Sequence, residues 1–313
     1  MKPDTRMSHQ ERILGLLVKI ESDLSADLSL QTLARQARFS PYHCHRIFRA
    51  LVGEPVKEYV RRLRLERAAH ELAFSARPII QIAFDAGYKT HESFTRAFRA
   101  GFGTLPSHYR EARKPPSASS SAITSNAVAE YLPRAAELFK PTAAPRQGRV
   151  ERLRRLRVAF IRHVGPYEAV TPVFNRLGEW VGERQQGTDL MWIGVPHDNP
   201  QLTPADKLRF DCCVMVTGDI APEGDIGLRE IGGDLYATTT HYGAFEGLVE
   251  TYGWLGGHFM PSAGLIPRPA PAIEIYLTNP ETTVPDQLLT DILLPVEDSA
   301  RQRRSSSVND GLH

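Results

Sequence analysis

The sequence predicts a multidomain protein: an N-terminal all-α double helix-turn-helix, then a C-terminal α+β domain of two strand-helix-strand-strand repeats on an antiparallel sheet. Three observations carry this. A two-helix pattern in the first third of the chain returns 50 residues later. In the second half, a pattern of strand-like runs around one helix returns after 78 to 80 residues. Charge divides between the two regions, because the near-neutral total of 38 basic and 36 acidic side chains is a cancellation.

Residues 1–113 carry 19 basic and 12 acidic groups, residues 114–149 carry 5 and 2, residues 150–298 carry 11 and 21, and residues 299–313 carry 3 and 1. A basic module suggests a polyanion partner, and an acidic one suggests something else. The chain of 313 residues is long enough for two cores. Lys114-Pro115-Pro116, followed by Ser117-Ala118-Ser119-Ser120-Ser121, cannot pack, so 114–149 reads as a Pro/Ser-rich linker and 299–313 as a disordered tail. No apolar run reaches the ~18 residues of a membrane span, and the N-terminus has no signal-peptide core, so the expected location is cytoplasmic, with no membrane partner. Cys44, Cys212 and Cys213 lack C-x-x-C spacing. Neither a disulfide framework, a metal site nor a cofactor is expected.

In the basic half, Ile13, Leu16, Leu17 and Ile20 mark an amphipathic helix over residues 10–23. Ser29 caps a short helix with a buried stripe of Leu30, Leu33, Ala34 and Ala37. Ser40-Pro41 then opens a helix with two faces. Cys44, Ile47, Phe48 and Leu51 should be buried, while Tyr42, His45, Arg46 and Arg49 point outward together. Residues 56–74 form a long connecting helix bearing Arg61, Arg62, Arg64 and Arg67. The unit then recurs. Ile79, Ile80, Ile82, Ala83 and Ala86 make its first helix, Gly87 its turn and Thr90 its second cap. Phe94, Ala97, Phe98 and Gly101 face in; Glu92, Thr95, Arg96 and Arg99 face out. The second helix of such a unit enters a DNA major groove, where Arg reads guanine bidentately. Two units on one rigid helix would occupy two successive major grooves of double-stranded DNA, about 34 Å apart. The bland alternative is a solvated helical bundle, which does not account for two outward faces in one register.

Glu92-Ser93-Phe94-Thr95-Arg96-Ala97-Phe98-Arg99 through Gly103-Thr104-Leu105-Pro106-Ser107-His108-Tyr109-Arg110 resembles the signature of the AraC/XylS transcription regulators. Leu33-Ala34 with Ser40-Pro41-Tyr42-His43, Arg46 and Phe48 resembles that family's first reading unit. The resemblance implies base reading by Tyr42, His45 and Arg46 in the first helix, and by His91, Glu92, Thr95 and Arg96 in the second. Tyr42 stands where some members have tryptophan, and His45 where some have glutamine. Arg49, Ser107 and the connecting-helix arginines are candidates for phosphate and flanking contacts.

The acidic half alternates short β-rich runs with Gly and Pro. Val158 to His163 is strand-like, followed by Gly165-Pro166-Tyr167-Glu168 and a helix ending near Trp180. Tyr236 to His241, Gly243-Ala244-Phe245-Glu246 and a helix through Trp254 repeat it, with Phe174 matching Tyr252. Farther on, Asn199-Pro200 matches Asn279-Pro280, and Asp211-Cys212-Cys213-Val214 matches Asp291 to Leu294. By alternation Glu274 and Tyr276 share one face of a strand over residues 272–277, with Ile273, Ile275 and Leu277 on the other. The matching positions in the first repeat are Gly194 and Pro196, so only one such carboxylate exists. A groove between twin halves suits a small molecule, and one acid among aromatics suits a hydrophobic cation. Equally, Glu274 would fit a solvated sheet face above a plain aromatic core.

Glu274-Ile275-Tyr276-Leu277 and Asn279-Pro280 resemble the GyrI-like effector-binding domain. That resemblance implies lipophilic, often cationic ligands and a pocket role for Glu274, with Tyr276, Trp254 and Tyr252 as further wall candidates. The expected protein is a sequence-specific transcription regulator, activator or repressor, whose C-terminal domain senses a small molecule, with RNA polymerase as a further candidate partner. Alternatives are a GyrI-like hydrolase or a ligand-independent DNA-binding and partner-docking protein. No Ser/His/Asp motif, phosphate loop or H-E-x-x-H string appears, so no catalytic residue is expected.

Overall fold

The computed structural model describes residues 9–112, 146–184, 190–200 and 203–297. Nearly all of the expected linker, and the whole expected tail, lie outside the described residues.

Seven helices open the chain: α1 (His9–Ser22), α2 (Leu30–Gln36), α3 (Pro41–Val52), α4 (Val56–Phe74), α5 (Ile79–Asp85), α6 (His91–Phe102) and α7 (Pro106–Glu111). The capping residues act as their sequence predicts. Ser40 Oγ accepts from the His43 amide at 3.3 Å, and Thr90 Oγ1 from the Ser93 amide at 3.2 Å. Both helices stop at a left-handed glycine, Gly53 (φ 84°) and Gly103 (φ 71°), a conformation that costs other residues more. Cys44 and Phe48 are fully buried in the first unit, as are Phe94 and Phe98 in the second. The inward stripes are shorter than periodicity predicts: Leu51 is 44% exposed, and Ala97 and Gly101 are not buried. The last turns of α3 and α6 overhang the small units beneath them, so the fourth stripe position runs past the core.

The rest is one eight-stranded antiparallel sheet. Its strands are β1 (Arg149–Arg152), β2 (Leu156–Val164), β3 (Trp192–Pro196), β4 (Arg209–Met215), β5 (Ile226–Ile231), β6 (Leu235–Tyr242), β7 (Ile273–Tyr276) and β8 (Leu289–Val296). Helix α8 (Thr171–Gly182) belongs to the first repeat, and α9 (Leu248–Trp254), running on into a wider π turn at Leu255–Phe259, to the second. The spatial order is β1-β6-β8-β7-β3-β4-β2-β5. Each repeat is strand, helix, strand, strand, and the two meet at the β7–β3 pair. The sequence pattern missed β1 and β5, whose strings are short and rich in charge. These edges are exchanged: β1 precedes the first repeat but pairs with β6, and β5 precedes the second but pairs with β2.

The two sheet faces are buried by different partners. Leu177, Trp180 and Val181 of α8 pack on Ala159, Ile161 and Val214. On the opposite face, Phe160, Ile193, Cys213 and Leu293 join one continuous core with Ile13, Leu17 and Ile20 of α1 and Phe48 of α3. Gly227 of β5 permits this approach, since a Cβ there would lie 2.6 Å from Leu14 Cδ2. The molecule is therefore three-layered: helices of the two repeats, sheet, and first helix-turn-helix unit. The second unit keeps a separate core around Leu72, Ala83, Phe94 and Phe98.

Candidate functional site

The outward faces of α3 and α6 are free. Tyr42 is 72% exposed, with the Arg46 guanidinium 5.7 Å from its ring centre. Arg46, Arg49, His91, Glu92, Arg96 and Arg99 are exposed, as is Ser107 in the first turn of α7, while His45 is half-buried. Glu92 has a lowered pKa, from its own backbone amide and the Thr90 hydroxyl at the helix start. Thr95 differs from expectation: its hydroxyl oxygen is sealed from solvent and has no hydrogen-bond partner among the described residues.

The connecting-helix arginines serve the fold more than a phosphate. Arg64 donates to the carbonyls of Leu24 (2.9 Å) and Ala26 (3.2 Å). Arg67 donates to Ser25 Oγ and the Asp85 carbonyl. Arg62 pairs with Glu54 at 2.6 Å and Glu66 at 3.1 Å. Arg61 alone of the four keeps a side chain more than half exposed. A helix that joins two units must also fasten the loops packed beside it, and long guanidinium arms do this from the same positions.

The alternation in β7 places Glu274 and Tyr276 on the helix face of the sheet, at its centre. Glu274 stands opposite Gly194, with Trp192 opposite Tyr276. The carboxylate is 6% exposed and accepts two phenol hydrogen bonds, from Tyr252 at 2.8 Å and from Tyr276 at 2.8 Å. Burial raises its pKa, while the two hydroxyls draw it back down. No cation among the described residues forms an ion pair with it. Aromatic rings continue around it: Tyr276 meets Phe174 (5.7 Å) and Phe245 (5.5 Å), Phe174 meets Trp192 and Phe210, and Phe210 meets Tyr167. The solvated-face alternative is thus corrected, because Glu274 is buried under its own phenols. Trp254 makes a different contact: its ring stacks on Phe259 at 5.9 Å, and it packs against the second repeat's own core. Two residues along a helix are about 200° apart, so Trp254 leaves α9 in a different direction from Tyr252. Phe174, Trp192 and Phe210 were not singled out as wall residues, although the match of Phe174 to Tyr252 was a usable signal.

Among the described residues no group of three His, Cys, Asp or Glu is placed to hold a metal ion, and no helix is long and apolar enough to cross a membrane.

Residues 147–297 match the family described as GyrI-like small molecule binding domain, and residues 33–112 match a family described as helix-turn-helix domain. Over 104 residues the chain is 38% identical to regulatory protein SoxS of Salmonella typhimurium, covering 33% of this chain and 97% of that protein. It is 37% identical over 98 residues to the right origin-binding protein of Escherichia coli, covering 31% of this chain and 34% of that protein. Among solved structures, the EcmrR C-terminal domain is similar at a TM-score of 0.44 and 18% identity, covering 50% of this chain and 99% of that one.

Proposed function

The chain belongs to the AraC-type helix-turn-helix regulators and carries a GyrI-like small-molecule binding domain, and from that premise we propose how its parts divide the work of a ligand-sensing transcription regulator. Helices α3 and α6 read two successive major grooves through Tyr42, His45 and Arg46 and through His91, Glu92 and Arg96. Arg49 and Ser107 hold the backbone, and Thr95 takes part only if its sealed hydroxyl is uncovered on binding. The sensor takes a lipophilic cation at Glu274, with Tyr252, Tyr276 and Phe174 as its walls. RNA polymerase is the further partner, and the protein works in the cytoplasm without catalysis of its own.

One observation carries the ligand class. Among the described residues, Glu274 is a buried carboxylate satisfied only by two phenols, so a cation entering among these rings would supply the charge partner that burial withholds. The phenols that now cap it would then line the bound ligand. Its pairing with phenols, with no second carboxylate bonded beside it, supports binding over hydrolysis.

The test is tetraphenylphosphonium titration of the full chain by tryptophan quenching, wild type against Glu274→Gln. Loss of the ion pair should weaken binding about tenfold or more, which is about 1.4 kcal/mol, with DNA affinity unchanged in the absence of the cation. Equal affinity of the two proteins refutes the pocket reading.

A further inference from the structure

The sensor grips the DNA-reading half through the first unit and the connecting helix, by a buried ionic cluster centred on Glu21 of α1, with Arg62 of α4 3.8 Å from Asp198 and Glu66 of α4 3.8 Å from Arg209. Its carboxylate receives Arg162 Nη1 at 2.5 Å, Arg209 Nη1 at 2.9 Å and the Tyr59 hydroxyl at 2.7 Å. Arg162 also clasps Asp211 through two bonds of 2.6 and 2.9 Å, and Arg209 clasps Asp198 at 2.8 and 2.6 Å. Both aspartate side chains are fully buried. At the other end of α1, Glu11 accepts the Gly224 amide at 3.0 Å.

The internal repeat makes this cluster informative. Arg162, His197, Asp198 and Arg209 all belong to the first repeat. The equivalent positions in the second are Thr240, Leu277, Thr278 and Leu289. Asp211 alone has an acidic counterpart, Asp291, which is held by Arg149 and Thr240. Two halves built to one plan thus differ at the places that meet α1, so the socket is a specialised feature and not a by-product of the fold.

The socket also touches the ligand site from behind. Phe210 faces the aromatic rings, while Asp211, the next residue of β4, faces Glu21's partners. Tyr167 spans the two: its ring meets Phe210 at 5.3 Å, and its hydroxyl donates to the carbonyls of Asp198 (2.7 Å) and Arg209 (3.2 Å). It also accepts from the Asp198 amide at 3.2 Å. Any displacement of Phe210 by a ligand therefore bears on the backbone that presents both members of the Asp198–Arg209 clasp.

We propose that the sensor addresses DNA through the first reading unit and the connecting helix α4, by the Glu21 socket and not through α6, and that Tyr167 is the positioning residue linking socket to ligand site. The second half of this statement rests on the Glu274 pocket reading, and the first half does not. Coupling requires that the ligand favour one arrangement of the socket over another.

Hydrogen exchange on the full chain separates the parts. Without ligand, Glu21→Gln should raise exchange about threefold or more in α1 and also in β2 and β4, with α6 unchanged. Faster exchange in the two strands distinguishes interdomain docking from a role confined to the reader. If Glu21→Gln does not fold, Leu14→Ala, which thins the α1 contact on Gly227 without stripping a charge, should give the same pattern. Unchanged strands, or an equal rise in α6, overturn the socket. In the second arm, tetraphenylphosphonium should alter exchange in α1 and not in α6. At a tetraphenylphosphonium concentration that saturates the variant, Tyr167→Phe should lose the α1 response. A retained response overturns the relay. If tetraphenylphosphonium does not bind, the pocket reading and the relay fall together, and the socket is still decided by the first arm.

Discussion

Gly194 stands where the two repeats meet, directly opposite Glu274. A Cβ there would lie 2.5 Å from the Tyr276 hydroxyl, 2.6 Å from Phe210 and 3.1 Å from Glu274 Oε2. None of these neighbours is free to yield, because Tyr276 is bonded to Glu274 and Phe210 packs between Tyr167 and Phe174. Gly194→Ala should therefore leave the sheet intact while cutting tetraphenylphosphonium affinity by about tenfold or more. Intact affinity in a folded variant would place the ligand elsewhere. The pH dependence follows from Glu274. Burial raises its pKa above the ordinary 4.5, and a cation prefers the ionised form. Binding should thus weaken as pH falls through that raised value, and this limb should vanish in Glu274→Gln. Alternation along β7 made Glu274 and Tyr276 legible in the sequence, and the repeat identified Gly194 as their counterpart. Neither gave the strand order that sets Gly194 against Glu274, nor the closure by Tyr252, which comes from a helix 22 residues away in the chain.

The reading helices are the most legible elements, since caps and stripes are local signals. Ser40 and Thr90 cap as read, and Phe48 and Phe98 are buried as read. The roles of Arg64 and Arg67 in α4 are not legible, because an exposed cation and one bonded to a distant carbonyl have the same spacing. That distinction yields a prediction. Arg46→Ala and Arg96→Ala should each cost about 1–3 kcal/mol of DNA affinity and relax preference at one half-site. Arg64→Ala should instead lower the melting temperature, because it frees the Leu24 and Ala26 carbonyls. Titration of DNA selected from a random pool, beside thermal melts of the same proteins, checks both. A purely DNA-linked effect at Arg64, or a purely thermal one at Arg96, would contradict the division.

At the scale of the whole molecule, the contact between the two halves runs against their charge segregation. The basic reader and acidic sensor meet where the signs are locally interleaved, with Glu21 of the reader between Arg162 and Arg209 of the sensor. Segment totals could not locate that contact, because it places a reader's acid against a sensor's bases, opposite to the net charges. Burial alone pushes the Glu21 carboxyl up, but Arg162, His197 and Arg209 together bring its pKa from 4.5 down to about 2. A carboxylate depressed on folding contributes its full stability above its unfolded pKa of 4.5 and loses it as pH falls towards 2. The linkage is worth at most about 3 kcal/mol. Docked stability should therefore decline between those two pH values more steeply in the wild type than in Glu21→Gln. Denaturant unfolding at pH 7 and pH 3, followed by tryptophan fluorescence, measures this directly, since Trp180, Trp192 and Trp254 all lie in the sensor. The wild-type advantage seen at pH 7 should shrink by pH 3. Parallel losses in both proteins would mean that the acid limb belongs to Asp211 and its neighbours within the sensor, and that Glu21 does not hold the two halves together.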